Sequence, residues 1–114
     1  MMAHVVLEGQ SGSGRVARSA EVITDGAVAT ISIFVPDRSR VYETVQLPES
    51  VFVERLRTLD AQEIRLPSTD GAKDIMVARS DDDVWMWVRP VGRDDGGADV
   101  LVPRLRLLEP LGIS

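Results

Sequence analysis

Apolar and polar residues alternate along most of this chain, and polar turn sequences separate the alternating stretches. A period of two residues places every second side chain on the same face of a strand, so the pattern indicates half-buried β-strands. Four short strands are predicted before residue 48 and four more after residue 62. Their predicted bounds are 4–8, 20–24, 27–35, 41–47, 63–66, 72–77, 84–89 and 100–108.

Two Asp-Gly dipeptides, at 25–26 and 70–71, predict tight hairpins. A two-residue type I′ turn needs positive φ at both central positions, which this dipeptide tolerates. Each turn then sets the register of its two strands and brings apolar side chains together on one face. The predicted pairs are Thr24–Ala27, Val22–Ala29 and Ala20–Ile31 in the first hairpin, and Thr69–Ala72, Leu66–Ile75 and Ile64–Val77 in the second.

One helix is predicted, at about 48–60. Pro48 suits the first position of a helix, and Glu49 lies in the first turn, where the helix dipole favours a negative charge. A stripe of apolar residues at helical spacing gives this helix one buried face. The stripe consists of Phe52, Val53, Leu56 and Leu59.

These elements predict an α+β, mainly β fold: antiparallel meanders of about eight short strands and one helix, in a small sheet or partial barrel. Residues 1–19 form an N-terminal strand and a Gly/Ser-rich arm, and 20–114 form a single β-rich domain. The order of four strands, one helix and four strands resembles the layout of Whirly and PUR single-strand-binding domains. This resemblance is one of element order alone, without a shared motif.

An internal repeat is a further hypothesis. The sequence Thr-Asp-Gly-Ala occurs at 24–27 and again at 69–72, and 41–45 is loosely similar to 84–88. The two offsets nearly agree, as a duplication of 20–47 as 64–90 would require. Because Asp-Gly turns are common, chance would also produce them.

Composition excludes several classes of protein. The chain has 114 residues, one histidine, no cysteine and a net charge of −5, so disulfides and thiolate chemistry are unavailable. No apolar run reaches the roughly 20 residues of a membrane helix, and the N-terminus lacks a signal peptide, so we expect a cytoplasmic or virion location. Lys73 is the only lysine among thirteen basic residues, which is typical of GC-rich bacterial or phage genes.

Residues 9–16 read GQSGSGRV after an apolar run, like the start of a phosphate-binding loop. The P-loop pattern requires a lysine and a serine or threonine after its second glycine, but Arg15 and Val16 follow Gly14 here. The groups that hold the terminal phosphates and Mg²⁺ are therefore changed or missing. The stretch is interpreted instead as a flexible arm or connector. If it is ordered, we expect another subunit to pack on it, which makes Gly9, Gly12 and Gly14 interface candidates.

The strand at 84–89 is apolar on both faces. Val84, Met86 and Val88 share one face, and Trp85, Trp87 and Arg89 share the other. The strand is either covered on both sides, or its tryptophan face is a protein–protein interface, or that face stacks nucleic-acid bases together with Tyr42.

Catalytic and metal-binding signatures are weak. Aspartates at 81–83 and 94–95 lack the spacing of a calcium loop and are typical of solvated turns. The chain contains His4 but lacks the G-x-S-x-G motif that carries the nucleophilic serine of many hydrolases. We therefore expect no catalytic residue, cofactor or metal.

The expected function is that of a non-enzymatic structural or interaction protein that self-assembles into a homo-oligomer, for example a bacterial or phage assembly component. Its interface would use Trp85, Trp87, Arg89 and Tyr42. The alternative is a single-stranded nucleic-acid-binding protein that uses the same Trp/Arg-lined face, and the acidic net charge disfavours it. No membrane partner is expected.

Overall fold

A computed structural model describes residues 2–35, 40–92 and 96–113 of the chain. Residues 36–39, between the predicted strands 27–35 and 41–47, and the acids at 94–95 lie outside these residues. Two meanders of four strands make up the sheet, and each is followed by a short helix. The first half comprises β1 (Met2–Gln10), β2 (Ala17–Asp25), β3 (Val28–Val35), β4 (Arg40–Pro48) and α1 (Glu49–Arg57). The second comprises β5 (Ile64–Pro67), β6 (Lys73–Ser80), β7 (Asp83–Pro90), β8 (Ala98–Pro103), α2 (Arg104–Leu108) and a 3₁₀ helix (Glu109–Leu111).

All eight strands belong to one antiparallel sheet with the order β4-β3-β2-β1-β8-β7-β6-β5. The two edges of this sheet approach each other, since the Thr69 backbone N–H donates to the Gln46 carbonyl oxygen at 2.8 Å. Lys73 Nζ donates to the Thr44 carbonyl oxygen at 3.0 Å, between β6 and β4. The sheet is therefore a nearly closed barrel, and the predicted α+β, mainly β fold is confirmed.

The side chains that point inward from the strands fill the barrel and form its core. From α1, Phe52 and Leu56 are buried, and Val53 and Leu59 pack against the core, so the predicted apolar stripe is confirmed. The strand at the N-terminus belongs to the same core, because Val5 and Leu7 on β1 are buried in it. The predicted arm at 1–19 thus begins with a strand that is integral to the barrel.

The last predicted strand, 100–108, is wrong from residue 104 onwards. β8 ends at Pro103, whose φ of −59° suits the start of a helix, and α2 follows directly. Leu107 and Leu108 are both buried, although neighbours in a strand would face opposite sides. The described residues therefore contain two short α-helices instead of the single one predicted, and both begin directly after a proline.

The register predicted from the second Asp-Gly turn is confirmed, and the register predicted from the first is wrong. The second hairpin pairs Leu66 with Ile75, as predicted. In the first, Thr24 pairs with Ala29 instead of Ala27. The Asp25 carboxylate stabilises this longer turn, because it accepts hydrogen bonds from two backbone N–H groups at the end of the turn and the start of β3. These come from Ala27 at 2.9 Å and Val28 at 2.7 Å.

This hydrogen bonding makes Asp25 the first residue of its turn, and Gly26, with a φ of 95°, the second. The bonds from Val28 and then Ala27 also hold the pKa of the Asp25 carboxyl below its usual range. A register shift of two residues leaves every side chain on its predicted face.

The repeated Thr-Asp-Gly-Ala segments do not occupy equivalent places in the two halves. The segment at 24–27 forms the β2–β3 turn, whereas the one at 69–72 lies between β5 and β6. If the two four-stranded halves correspond strand for strand, the counterpart of the first turn is the β6–β7 turn at 81–82. The repeated segments are therefore offset by one strand relative to the two halves of the fold.

Candidate functional site

The strand with two tryptophans, β7, lies between β6 and β8 with its tryptophans on the outside of the barrel. Val84, Met86 and Val88 point inward and are fully buried. Trp85 and Trp87 lie on the opposite side and are half-buried. Neighbouring strands cover part of these rings, so the outer face is neither an open platform nor a second core.

The surface around these rings is called the tryptophan face here, and it comprises Trp85, Trp87, Met76, Ala78 and Leu101. The strand register places Met76 beside Trp87, and Ala78 and Leu101 on either side of Trp85. The indole rings contact each other, with centroids 5.9 Å apart and planes inclined by 38°. Tilted pairs of this kind are a favourable aromatic arrangement.

A buried carboxylate holds two arginines at one end of the tryptophan face. Asp74, on β6, is only 1% exposed. Its two oxygens meet the Nε atoms of Arg65 at 2.7 Å and of Arg89 at 3.0 Å. The Arg89 guanidinium also lies over the Trp87 ring, 4.7 Å from the centroid, in a cation–π contact. Arg89 is thus fixed from two sides.

Asp99 connects the other side of the tryptophan face to the glycine-rich loop. Its Oδ2 accepts from the Trp85 indole N–H at 2.9 Å and from the Gly12 backbone N–H at 2.9 Å. Arg18 donates to the Asp99 carbonyl oxygen at 3.0 Å, and its guanidinium lies 5.5 Å from the centroid of the Tyr42 ring. Asp99, on β8, therefore links β7 to the β1–β2 loop and β2, which are distant from it in the sequence.

The glycine-rich loop between β1 and β2 is ordered by contacts within its own chain. The Ser11 N–H donates to the Val16 carbonyl oxygen at 2.7 Å, and the Gly14 N–H donates to the Ser11 carbonyl oxygen at 2.8 Å. Together with the Asp99 bond to Gly12, these interactions account for its order without a second subunit. The order of the loop therefore does not by itself require another subunit, and the interface role of Gly9, Gly12 and Gly14 stays a prediction.

Each candidate glycine has a local steric role. A Cβ at Gly9 would overlap the Leu101 carbonyl oxygen, where β1 meets β8. A Cβ at Gly12 would overlap the Asp99 carboxylate. Gly14 has a φ of +76°, a conformation that side chains disfavour.

An open groove of about 650 Å³ borders the tryptophan face. Trp85 and Ala78 contribute its apolar wall, and Glu63, Asp81 and Arg79 add charge along its rim. Arg79 Nε donates to the main-chain carbonyl oxygen of Asp81 at 3.0 Å and does not bind its carboxylate. Asp81 itself is exposed. The groove thus combines an aromatic wall with exposed acids.

The structure brings most of the sequence-predicted residues together. Trp85, Trp87 and Arg89 are adjacent, and Tyr42 and Gly12 join them through Arg18 and Asp99. Gly9 and Gly14 lie in the adjoining loop and strand end.

Sequence reasoning missed the residues that organise this surface: Asp74, Asp99, Arg18 and Arg65. The only signal was an acid at an outward position inside a strand at Asp74, since aspartate is depleted in strands. Asp99 lies just before the predicted strand at 100–108, so alternation assigned it no face.

Over the described ranges, no group of three or more histidine, aspartate or glutamate side chains is arranged to hold a metal ion. His4 pairs with Glu21, Nε2 to Oε2 at 2.6 Å, on the exposed surface. Among the residues with described positions, no helix has the length and apolarity needed to cross a membrane.

Comparison with known proteins yields no relative: no family model matches the chain, and no curated protein or solved structure is detectably similar to it. The similarity to Whirly and PUR domains therefore remains one of element order.

Proposed function

We propose that this chain is a non-enzymatic interaction protein that self-associates through the tryptophan face, as a component of a bacterial or phage assembly. The observation that carries the proposal is the position of Trp85 and Trp87 on the outside of a nearly closed barrel, flanked by Met76 and Leu101. Tryptophan and arginine are the residues most enriched at the energetic centres of interfaces.

The polar atoms of this surface support a binding role because they are already held in place. The Trp87 indole N–H donates to the Gly96 carbonyl oxygen at 3.0 Å, and that of Trp85 is bound to Asp99. A surface with fixed rings loses little conformational entropy when a partner covers it. Asp74 and Asp99 are occupied by arginine, indole and backbone partners, so both carboxylates hold the surrounding side chains in place.

Trp87→Ala is the variant that tests the interface. We expect the unchanged protein to sediment with a mass above the 12.5 kDa of one chain at micromolar concentration. The variant should sediment as a monomer, because truncating a central tryptophan typically weakens an interface by about 2 kcal/mol or more. Sedimentation velocity over a concentration series measures the difference.

Val6→Ala is the matched control, since Val6 is an apolar side chain, 67% exposed, on the outer face of β1. Its association should equal that of the unchanged protein. Circular dichroism verifies that both variants are folded. A monomeric unchanged protein would overturn the proposal, and loss of association in Val6→Ala alone would place the interface on β1.

Binding of single-stranded nucleic acid is the second candidate function, and the tilted indole pair with a stacked arginine favours it. The pairing of Arg89 with Asp74 and of Arg18 with Asp99 counts against it, since both guanidiniums are already partly neutralised. Oligonucleotides added at low salt should quench tryptophan fluorescence if bases stack on the rings. Unchanged fluorescence removes this function.

A further inference from the structure

The outer positions of β5 to β8 form two adjacent rows that run across the strands. One row contains Ala78, Trp85 and Leu101, and Glu63 lies beside Ala78 along the groove. The next row contains Arg65, Met76, Trp87 and Asp99. Two residues along a strand separate the rows, a spacing of about 7 Å.

The charges on the two sides of these rows are opposite. Among the described residues at the Asp74 end of the face, the guanidiniums of Arg65 and Arg89 outnumber the carboxylate of Asp74, which leaves a net positive charge there. Beside Trp85, Arg79 balances only one of the two groove acids, Glu63 and Asp81, and Asp99 is balanced by Arg18. The groove therefore keeps a net negative charge.

Arg65 and Glu63 do not neutralise each other within the chain. Asp74 holds the Arg65 guanidinium, and it lies in the row beyond Trp87, away from Glu63. The Arg65 side chain remains 55% exposed, and Glu63 is exposed as well. Both charges are thus presented to a partner.

We propose that two copies pack tryptophan face against tryptophan face, about a two-fold axis that lies in the interface and runs between the two rows. This inference rests on the proposed function and deepens it by naming the partner and its orientation. Such an axis places Trp85 against Trp87 of the second copy and Glu63 against Arg65 of the second copy. Asp83, on the same face of β7, comes opposite Arg89 of the second copy.

A second copy fits this surface because the pattern is complementary to itself. In a two-fold interface, if residue i contacts residue j of the partner, residue j also contacts residue i. Here the two aromatic rows meet each other, and the Glu63–Arg65 and Asp83–Arg89 contacts each occur twice per dimer. A partner of one uniform charge would match only one of the two rows.

Charge exchange between chains tests this arrangement. Glu63→Arg alone should raise the dissociation constant of self-association about tenfold or more, because two arginine pairs then face each other. Arg65→Glu alone should do the same through two glutamate pairs. An equimolar mixture of the two variants should associate as tightly as the unchanged protein, since both contacts are then between opposite charges.

Sedimentation velocity of each variant and of the mixture distinguishes the outcomes. If the unchanged protein associates and Trp87→Ala does not, but the charge variants behave like the unchanged protein, the two-fold arrangement is wrong and the proposed function stands. Failure of the mixture to associate also overturns the arrangement. A monomeric unchanged protein overturns the proposed function itself. Arg65→Glu removes one partner of Asp74, so Glu63→Arg, which leaves Asp74 untouched, must weaken association by itself.

Discussion

Replacing Phe52 by alanine should lower the free energy of unfolding by about 3–5 kcal/mol. Phe52 is fully buried, and it is the largest side chain that α1 places in the core. The helix connects β4 to β5, the two edge strands of the sheet, so a cavity there forms where strand pairing does not close the barrel. Urea denaturation followed by circular dichroism measures the loss.

Val51→Ala is the matched control on the same helix, because Val51 is 42% exposed. Its effect should stay within about 0.5 kcal/mol, as at other surface positions. Equal destabilisation by the two substitutions would mean that helix propensity, and not burial of the aromatic ring, sets the stability of this region.

Asp74→Ala should lower the free energy of unfolding by about 3 kcal/mol. The substitution leaves two guanidiniums without their carboxylate. Arg65 can return to water because its side chain is 55% exposed, but Arg89 is 17% exposed and pressed against Trp87. The cost therefore comes mainly from Arg89, which keeps its charge in a poorly hydrated place.

Arg65→Gln separates the two arginine contacts. It keeps Asp74 paired with Arg89, so it should cost less than about 1 kcal/mol, as for a mostly exposed ion pair. Asp74→Ala should also change the tryptophan emission spectrum, since Arg89 is no longer held over the ring. A loss as small as that of Arg65→Gln, with unchanged emission, would contradict a structural role for the buried carboxylate.

These two predictions concern different layers of the same molecule. Phe52 belongs to the barrel interior, which any β-rich fold of this size requires. Asp74 lies on the outside of the barrel, where a fully buried acid is unexpected. We attribute its burial there to the proposed binding role of the surrounding surface. Its two arginines orient one side of the tryptophan face. The Asp74 carboxylate therefore affects both the free energy of unfolding and the geometry of the proposed interface.

Local patterns predicted the strands, their faces and α1 well. Val84, Met86 and Val88 point inward because alternation in a strand is dictated by backbone geometry alone. The Leu66–Ile75 pair was predictable because the second Asp-Gly turn sets its register over a few residues. Failures began where a side chain intervened, as at Asp25, whose carboxylate stabilises a turn two residues longer than predicted.

The helix α2 escaped prediction for a different reason. Residues 100–108 alternate in the same way as a strand, and five residues are too few to establish a helical period. Its conformation depends on Pro103 and on the burial of Leu107 and Leu108 together, against the strands where the two meanders meet. That place exists only once the barrel has formed.

The candidate surface also combines features that depend on the local sequence with features that depend on tertiary contacts. The sequence by itself determined that Trp85, Trp87 and Arg89 share one side of a strand and that a glycine-rich loop follows the first strand, since both depend on neighbouring residues. Only the tertiary structure decided that Asp74 clamps two arginines and that Asp99 joins Trp85 to Gly12. The Asp74 contacts require the pairing of β5, β6 and β7, and the Asp99–Gly12 contact, across 87 residues, requires the pairing of β1 with β8 that joins the two meanders.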